Sequence, residues 1–132
     1  MDQIYYIYIL RCEDNSLYTG ITVDVARRMS EHVDGGLKGA KYTRTHKPVA
    51  LEGLWKTQGK AAASWLEWRI KRLSRIQKDQ FLAAPQQVCE LAVSAQKLEW
   101  TFEVVPVSER AYLGEGLNGK TSVSDASCTN RL

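Results

Sequence analysis

Ile4-Tyr5-Tyr6-Ile7-Tyr8-Ile9-Leu10-Arg11, a turn at Glu13-Asp14-Asn15-Ser16, then Leu17-Tyr18-Thr19-Gly20-Ile21-Thr22: these residues decide the fold. The first run has the Tyr- and Ile-rich composition of a buried strand. Asx side chains in the turn can bond the local backbone. Leu17 to Thr22 then resumes as a second strand, so residues 1–22 read as a β-hairpin. Tyr8 and Tyr18 share a parity on facing strands across that short turn, which lets both project close together. Tyr5 and Tyr6 add to the crowd of aromatics. Tyrosines are good strand residues and one face of any sheet is core, so this feature alone marks a sheet rather than a site.

Working outward, Asp24 is an N-cap for a helix running to about residue 33, with Gly35-Gly36 as its stop. Residues 35–48 form a Gly- and Lys-rich loop with room for one short helical turn. A third strand is expected over 49–56. Gly59-Lys60 leads into a helix over 61–73, whose apolar stripe is Ala62, Leu66, Ile70 and Leu73. Ser74 caps a second helix over 75–83, making a helix–helix corner. After Pro85 the signals weaken: 87–96 suits a helix, and 98–105 alternates as a strand does. From Pro106 onward Ser, Gly, Asn and Thr dominate, the composition of a disordered tail. The expected organisation is therefore a compact unit over 1–83, an extension over 84–105 whose packing the pattern leaves open, and a disordered tail over 106–132. The strand, strand, helix, strand, helix, helix order is of α/β (α+β) type.

A chain of 132 residues is one domain's worth. The run 4–10 is too short to span a membrane, follows Asp2, and lacks a basic leader and a cleavage site, so neither a membrane span nor a signal peptide is expected. Cys12, Cys89 and Cys128 are widely spaced and form no CxxC pair, which argues against a zinc site or a disulfide framework and for a reducing cytoplasm. Net charge is only +3, but it is unevenly placed: 1–82 carries 14 Lys+Arg against 9 Asp+Glu, and 83–132 carries 4 against 6. The cations concentrate at Lys38, Lys41, Arg44, Lys47 and again at Arg69, Lys71, Arg72, Arg75, Lys78. Such clusters suit phosphate contacts, though on charge alone a solvated helix face and a basic loop are the better reading. Gly114-Glu115-Gly116-Leu117-Asn118-Gly119-Lys120-Thr121 fits the phosphate-loop pattern letter for letter. That pattern works only between a buried strand and a helix, a context this stretch lacks, so no nucleotide cofactor is expected.

Three more residues complete a constellation. Arg28 and His32 stand four apart on the first helix, hence on one face, beside the apolar Val25 and Met29. Glu67 is the only acid of the helix over 61–73, with Lys71 as an i,i+4 partner. Singly, each reads as an ordinary surface residue. In order, Tyr6-Ile7-Tyr8, Tyr18-Thr19-Gly20, Arg28, His32 and Glu67 resemble the GIY-YIG nuclease superfamily, and most closely its small stand-alone bacterial members. Gly39-Ala40-Lys41-Tyr42-Thr43-Arg44 and Ile70-Lys71-Arg72-Leu73-Ser74 are similar to further stretches of that group. Tyr6 stands where the superfamily name has Gly, and Thr19 where it has Ile. The superfamily's late Asn has no matching position.

The resemblance implies a three-stranded antiparallel sheet flanked by helices, and a metal-dependent endonuclease hydrolysing phosphodiester bonds in DNA, in particular branched or damaged DNA met in repair or recombination. It also implies roles, and the chemistry suits each. Tyr8 is the general base, although a phenol near pKa ~10 must be lowered by nearby cations or a metal to act at neutral pH. Glu67 holds one Mg²⁺, with Mn²⁺ as a substitute, since Mg²⁺ needs only one protein carboxylate beside waters and phosphate oxygens. Arg28 grips the scissile phosphate. Tyr18 orients the phosphate or the water, and Gly20 lets backbone approach nucleic acid closely. For His32 two tasks stay open, relaying a proton or positioning Tyr8 or the phosphate. Lys41 and Arg44 are backbone-contacting cations away from the reacting centre. Nucleic acid, DNA first, is the expected partner, with no membrane. The rival is a non-catalytic DNA- or RNA-binding protein that keeps the fold, and a purely structural domain would leave Arg28 and Glu67 facing apart.

Overall fold

Strand β1 (Ile4–Cys12) is the spine of the molecule, because it is paired on both edges and covered on both faces. A computed structural model describes residues 3–34 and 40–107. The helix stop at Gly35-Gly36, the cation Lys38, Cys128, the 114–121 pattern and the tail reading beyond 107 lie outside those residues. A strand buried on two faces must be apolar at successive positions, and Ile7, Tyr8, Ile9 and Leu10 are each no more than 1% exposed. β2 (Leu17–Thr22) pairs antiparallel along one edge, with Tyr8 opposite Gly20 and Leu10 opposite Tyr18. β3 (Pro48–Gln58) pairs antiparallel along the other, with Tyr8 opposite Leu54.

The expected three-stranded sheet gains a fourth member. β4 (Phe102–Val104) adds to the open edge of β3, giving the order β2-β1-β3-β4. The reason is a short in-out-in pattern: Phe102 and Val104 turn into the core while Glu103 pairs with Lys56 at the surface. Adding β4 also covers a row of backbone groups that an open edge would leave unpaired.

Side-chain alternation divides the core in two. On one face Ile7, Ile9 and Trp55 meet α3 (Lys60–Lys71), α4 (Arg75–Ala83) and α5 (Val88–Ser94) through Ala62, Leu66, Ile70, Phe81, Val88 and Ala92. Burial of a side chain such as Leu66 or Ile70 contributes about 1.5–3 kcal/mol. Residues 84–105 are thus part of this core. Trp55 stacks on Phe81 with ring centroids 4.9 Å apart and donates its indole N–H to the Pro85 carbonyl, in a single 3-10 turn (Pro85–Gln87). On the other face Tyr8, Leu10, Met29, Leu51, Leu54 and Val105 form a smaller cluster beneath α1 (Val25–Asp34), and Val107 packs against it.

Local chemistry explains the helix limits. The Asp24 carboxylate accepts the Arg27 N–H at 3.1 Å, capping α1. Ser74 and Gln77 form a reciprocal capping box at α4. Gly59, at φ 93°, turns the chain from β3 into α3 in a conformation that a side chain would resist. α3 ends two residues before the expected limit, and Leu73 follows in a tight turn through its N–H to the Ile70 carbonyl. α2 (Lys41–Thr45) is the short helical turn of the loop before β3.

Candidate active site

Tyr8 is the point on which the site converges. Its ring stands on the α1 face of the central strand, where Gly20, its partner on β2, leaves room. A Cβ on Gly20 would lie 2.6 Å from Tyr8 Cζ, so the absence of a side chain there is what seats the phenol. The space Gly20 leaves is therefore filled by Tyr8 itself.

α1 brings two side chains to the phenol oxygen. His32 is fully buried, and its Nε2 lies 2.8 Å from Tyr8 Oη. Arg28, one helical turn earlier, donates to the same oxygen. Arg28 is also held by Glu31 at 2.7 Å, and the guanidinium keeps that carboxyl below the usual carboxylate range. Their spacing on one helical face is the cause: i,i+3 and i,i+4 side chains point the same way.

Behind His32 the line continues. His32 Nδ1 lies 2.8 Å from Thr43 Oγ1, and the Thr43 hydroxyl donates to the Ala40 carbonyl at 3.2 Å. Thr43 is buried although its neighbours Lys41, Arg44 and Thr45 are exposed. The sequence singles out the charged residues beside it, and nothing within α2 signals that Thr43 has a partner on α1. Tyr42 was also missed. It stacks on Tyr18, with centroids 5.8 Å apart and planes at 19°, and on His46, with centroids 3.8 Å apart.

Tyr18 closes the cluster at the edge of the sheet, 6.4 Å from Tyr8 and 5.5 Å from His32 between ring centroids. Among the described residues, Glu67 of α3 is linked to it only through Lys71. Its Oε2 pairs with Lys71 Nζ at 3.1 Å, and that ammonium sits 5.9 Å from the centre of the Tyr18 ring. The Glu67 charge is felt at the Tyr8 phenol together with that of Arg28, so the acid and the arginine act on one group. Lys41 and Arg44 stand exposed on α2, beside Thr43 and outside the cluster.

Electrostatics correct one expectation. Burial pushes the Tyr8 phenol above its ordinary value, and the Arg28 hydrogen bond offsets this only in part, while Tyr18 and Glu67 add to the rise. The surrounding cations therefore do not ready Tyr8 by ionising it. His32 is displaced downward to about 4, first by burial and then by the Arg28 charge, with Glu31 opposing. It is neutral at pH 7, and one ring nitrogen is left to accept a proton.

Among the described residues no group of three or more His, Cys, Asp or Glu is placed to hold a metal. The carboxylates available are two half-buried ones, Glu67 paired with Lys71 and Glu31 held by Arg28. That fits a hard cation taken up together with substrate phosphate oxygens. A cavity of about 590 Å³ lies elsewhere, between β3, β4 and the start of α3, lined by Lys56, Gln58, Lys60 and Trp100. It shares no residue with the Tyr8 cluster. No helix among the described residues is long and apolar enough to cross a membrane.

Comparison with known proteins points to one family. The family pattern described as the GIY-YIG catalytic domain matches residues 4–80, from the first residue of β1 into α4. A UPF0213 protein of Cupriavidus necator is 50% identical over 82 residues, covering 62% of this chain and 87% of that one. One from Fusobacterium nucleatum is 36% identical over 95 residues, covering 72% and 93%. The solution NMR structure of a UPF0213 protein from Bacillus halodurans is 45% identical, covers 61% of this chain and 83% of that one, and superposes with a TM-score of 0.41. Since the match takes in more than half of the sequence, and with it the strands and helices that carry Tyr8, Tyr18, Arg28, His32 and Glu67, the chain belongs to the GIY-YIG catalytic domain family.

Proposed function

We propose that this protein is a Mg²⁺-dependent endonuclease that hydrolyses phosphodiester bonds in DNA. The observation that carries the reading is the convergence on the Tyr8 oxygen of a buried neutral His32 and of Arg28, with Glu67 within electrostatic reach. Binding alone needs only a basic surface. A buried phenol with its own proton acceptor is the equipment of general-base chemistry.

In this reading Arg28 exchanges its contacts with Glu31 and Tyr8 for non-bridging phosphate oxygens and stabilises charge as it grows in the transition state. That exchange also uncovers the Tyr8 oxygen. Tyr8 takes a proton from the attacking water as its own proton passes to His32, so the phenol need never ionise ahead of the step. Tyr18, braced by its stack on Tyr42, orients the water or the phosphate. Glu67 would hold the metal ion, releasing Lys71. When bound, Mg²⁺ supplies Lewis-acid stabilisation of the phosphoryl and leaving oxygens. Lys41 and Arg44 would contact the nucleic-acid backbone beside the reacting centre.

Among the described elements none is a recognition helix docked for the major groove, so substrate choice by shape, as at branched or damaged DNA, suits the site better than choice by base sequence. The test is cleavage of end-labelled single-stranded, duplex, flap and four-way-junction DNA, with RNA alongside, in Mg²⁺. Preferred cutting of a junction or flap supports the reading in full. Binding across the panel with no cutting would favour a binding protein on the same fold.

A further inference from the structure

We propose that Thr43 is a positioning residue that locks His32 in the tautomer carrying its proton on Nδ1, leaving Nε2 as the acceptor for the Tyr8 phenol proton. This deepens the nuclease reading and rests on it for its catalytic consequence.

Protons along one buried line can be placed by counting donors and acceptors. Four groups stand in sequence: Tyr8 Oη, the two His32 nitrogens, Thr43 Oγ1 and the Ala40 carbonyl, at 2.8, 2.8 and 3.2 Å. A carbonyl can only accept, so the Thr43 hydroxyl spends its one proton on Ala40. The Thr43 oxygen can then only accept from His32, which puts the imidazole proton on Nδ1. Nε2 is left with a lone pair aimed at Tyr8, whose hydroxyl proton fills it. The opposite arrangement fails on the same count. If Thr43 donated to Nδ1, then Nε2–H and the Arg28 N–H would both point at the Tyr8 oxygen, the phenol proton would lose its partner, and the Ala40 carbonyl would keep only the Arg44 N–H. Tyr8 and His32 are each no more than 1% exposed, so water cannot take up the phenol proton in place of Nε2.

The consequence for the reaction balances. The water oxygen forms its bond to phosphorus as one of its protons goes to Tyr8 Oη. The Tyr8 proton goes to His32 Nε2, and the ring becomes an imidazolium whose Nδ1–H still rests on Thr43. Thr43 touches neither substrate nor metal.

Two readouts test this in the full chain. The first is ¹⁵N NMR of the His32 ring, which distinguishes a protonated from an unprotonated nitrogen without any turnover. In the wild type, Nδ1 should be protonated and Nε2 not. Thr43→Val keeps the shape and removes the hydroxyl, so the ring should become a mixture of tautomers, while Thr43→Ser restores Nδ1–H. The second is cleavage kinetics: Thr43→Val should lower kcat by roughly ten- to a hundredfold, within the span of general acid–base effects, with KM unchanged, and Thr43→Ser should recover it. An Nε2-protonated ring in the wild type, or an unaltered Nδ1–H ring in Thr43→Val, overturns the proposal, and so does Thr43→Val cutting at the wild-type rate. A wild type that cuts nothing would sink the nuclease reading instead, and the tautomer would still be decided by NMR alone.

Discussion

Gly20 and Tyr8 are direct partners across the β1–β2 ladder, and the phenol of one occupies the space where the other would carry a side chain. The clash of an added methyl group falls on backbone-anchored aromatic atoms at 2.6 and 3.1 Å, which have no free direction in which to move. Gly20→Ala should therefore push Tyr8 off His32. The expected result is a stability loss of about 1–3 kcal/mol in urea unfolding and a loss of turnover larger than that destabilisation alone would cause. Turnover at the wild-type rate in a folded Gly20→Ala protein would show that Tyr8 need not sit where it does.

Neutral His32 ties stability to pH. Its folded pKa of about 4 lies below the ordinary value of 6.5, so between these limits the unfolded chain binds a proton that the folded chain does not. Stability contributed by the neutral ring is complete above about pH 6.5 and is lost as pH falls toward 4. Between pH 7 and pH 5 the loss should come to about 2 kcal/mol. Urea unfolding of the wild type and of His32→Gln at both values checks this, since only the wild type should show that slope.

Arg28 has two anchors, Glu31 and Tyr8, that a phosphate must replace. Removing the grip with Arg28→Ala should lower kcat by about a hundredfold or more and change DNA affinity far less, because its contact strengthens as charge develops. Glu31→Gln frees the guanidinium and should lower KM. Equal losses of kcat and affinity in Arg28→Ala would reduce Arg28 to a binding residue.

Lys41 stands exposed beside the cluster on α2. Lys41→Ala should weaken binding to all DNA shapes alike and reduce the slope of log Kd against log salt by about 0.9, the loss of one phosphate contact. Fluorescence anisotropy over a salt series measures it, and an unchanged slope would remove Lys41 from the interface.

What could be read in advance follows from how local each signal is. The β1–β2 hairpin is written in adjacent residues, Tyr and Ile runs around an Asx turn, and the capping of α4 by Ser74 is written within four. The order Tyr8, Tyr18, Arg28, His32, Glu67 singles out a candidate set, of which the fold sets His32 and Arg28 against the Tyr8 phenol with the Tyr18 ring beside it. β4 was only partly legible, since a three-residue strand becomes one by covering the edge of β3. Thr43 was illegible because its task depends on a histidine on another helix, and no pattern within α2 reports that contact. The upward shift of Tyr8 was missed for a similar reason: proximity of cations is visible in a sequence, whereas the desolvation that outweighs them is a property of the packed core.

The central claim is that this cluster cuts DNA with a metal held at Glu67. Its most direct test is single-turnover cleavage of a labelled four-way junction in Mg²⁺ by the wild type and by Glu67→Ala, with binding of both measured in parallel. Metal-dependent cutting by the wild type, abolished in Glu67→Ala while junction affinity stays within about threefold, is the result expected. Cutting that persists in Glu67→Ala would contradict the claim, as would a wild type that binds the junction tightly and leaves it whole.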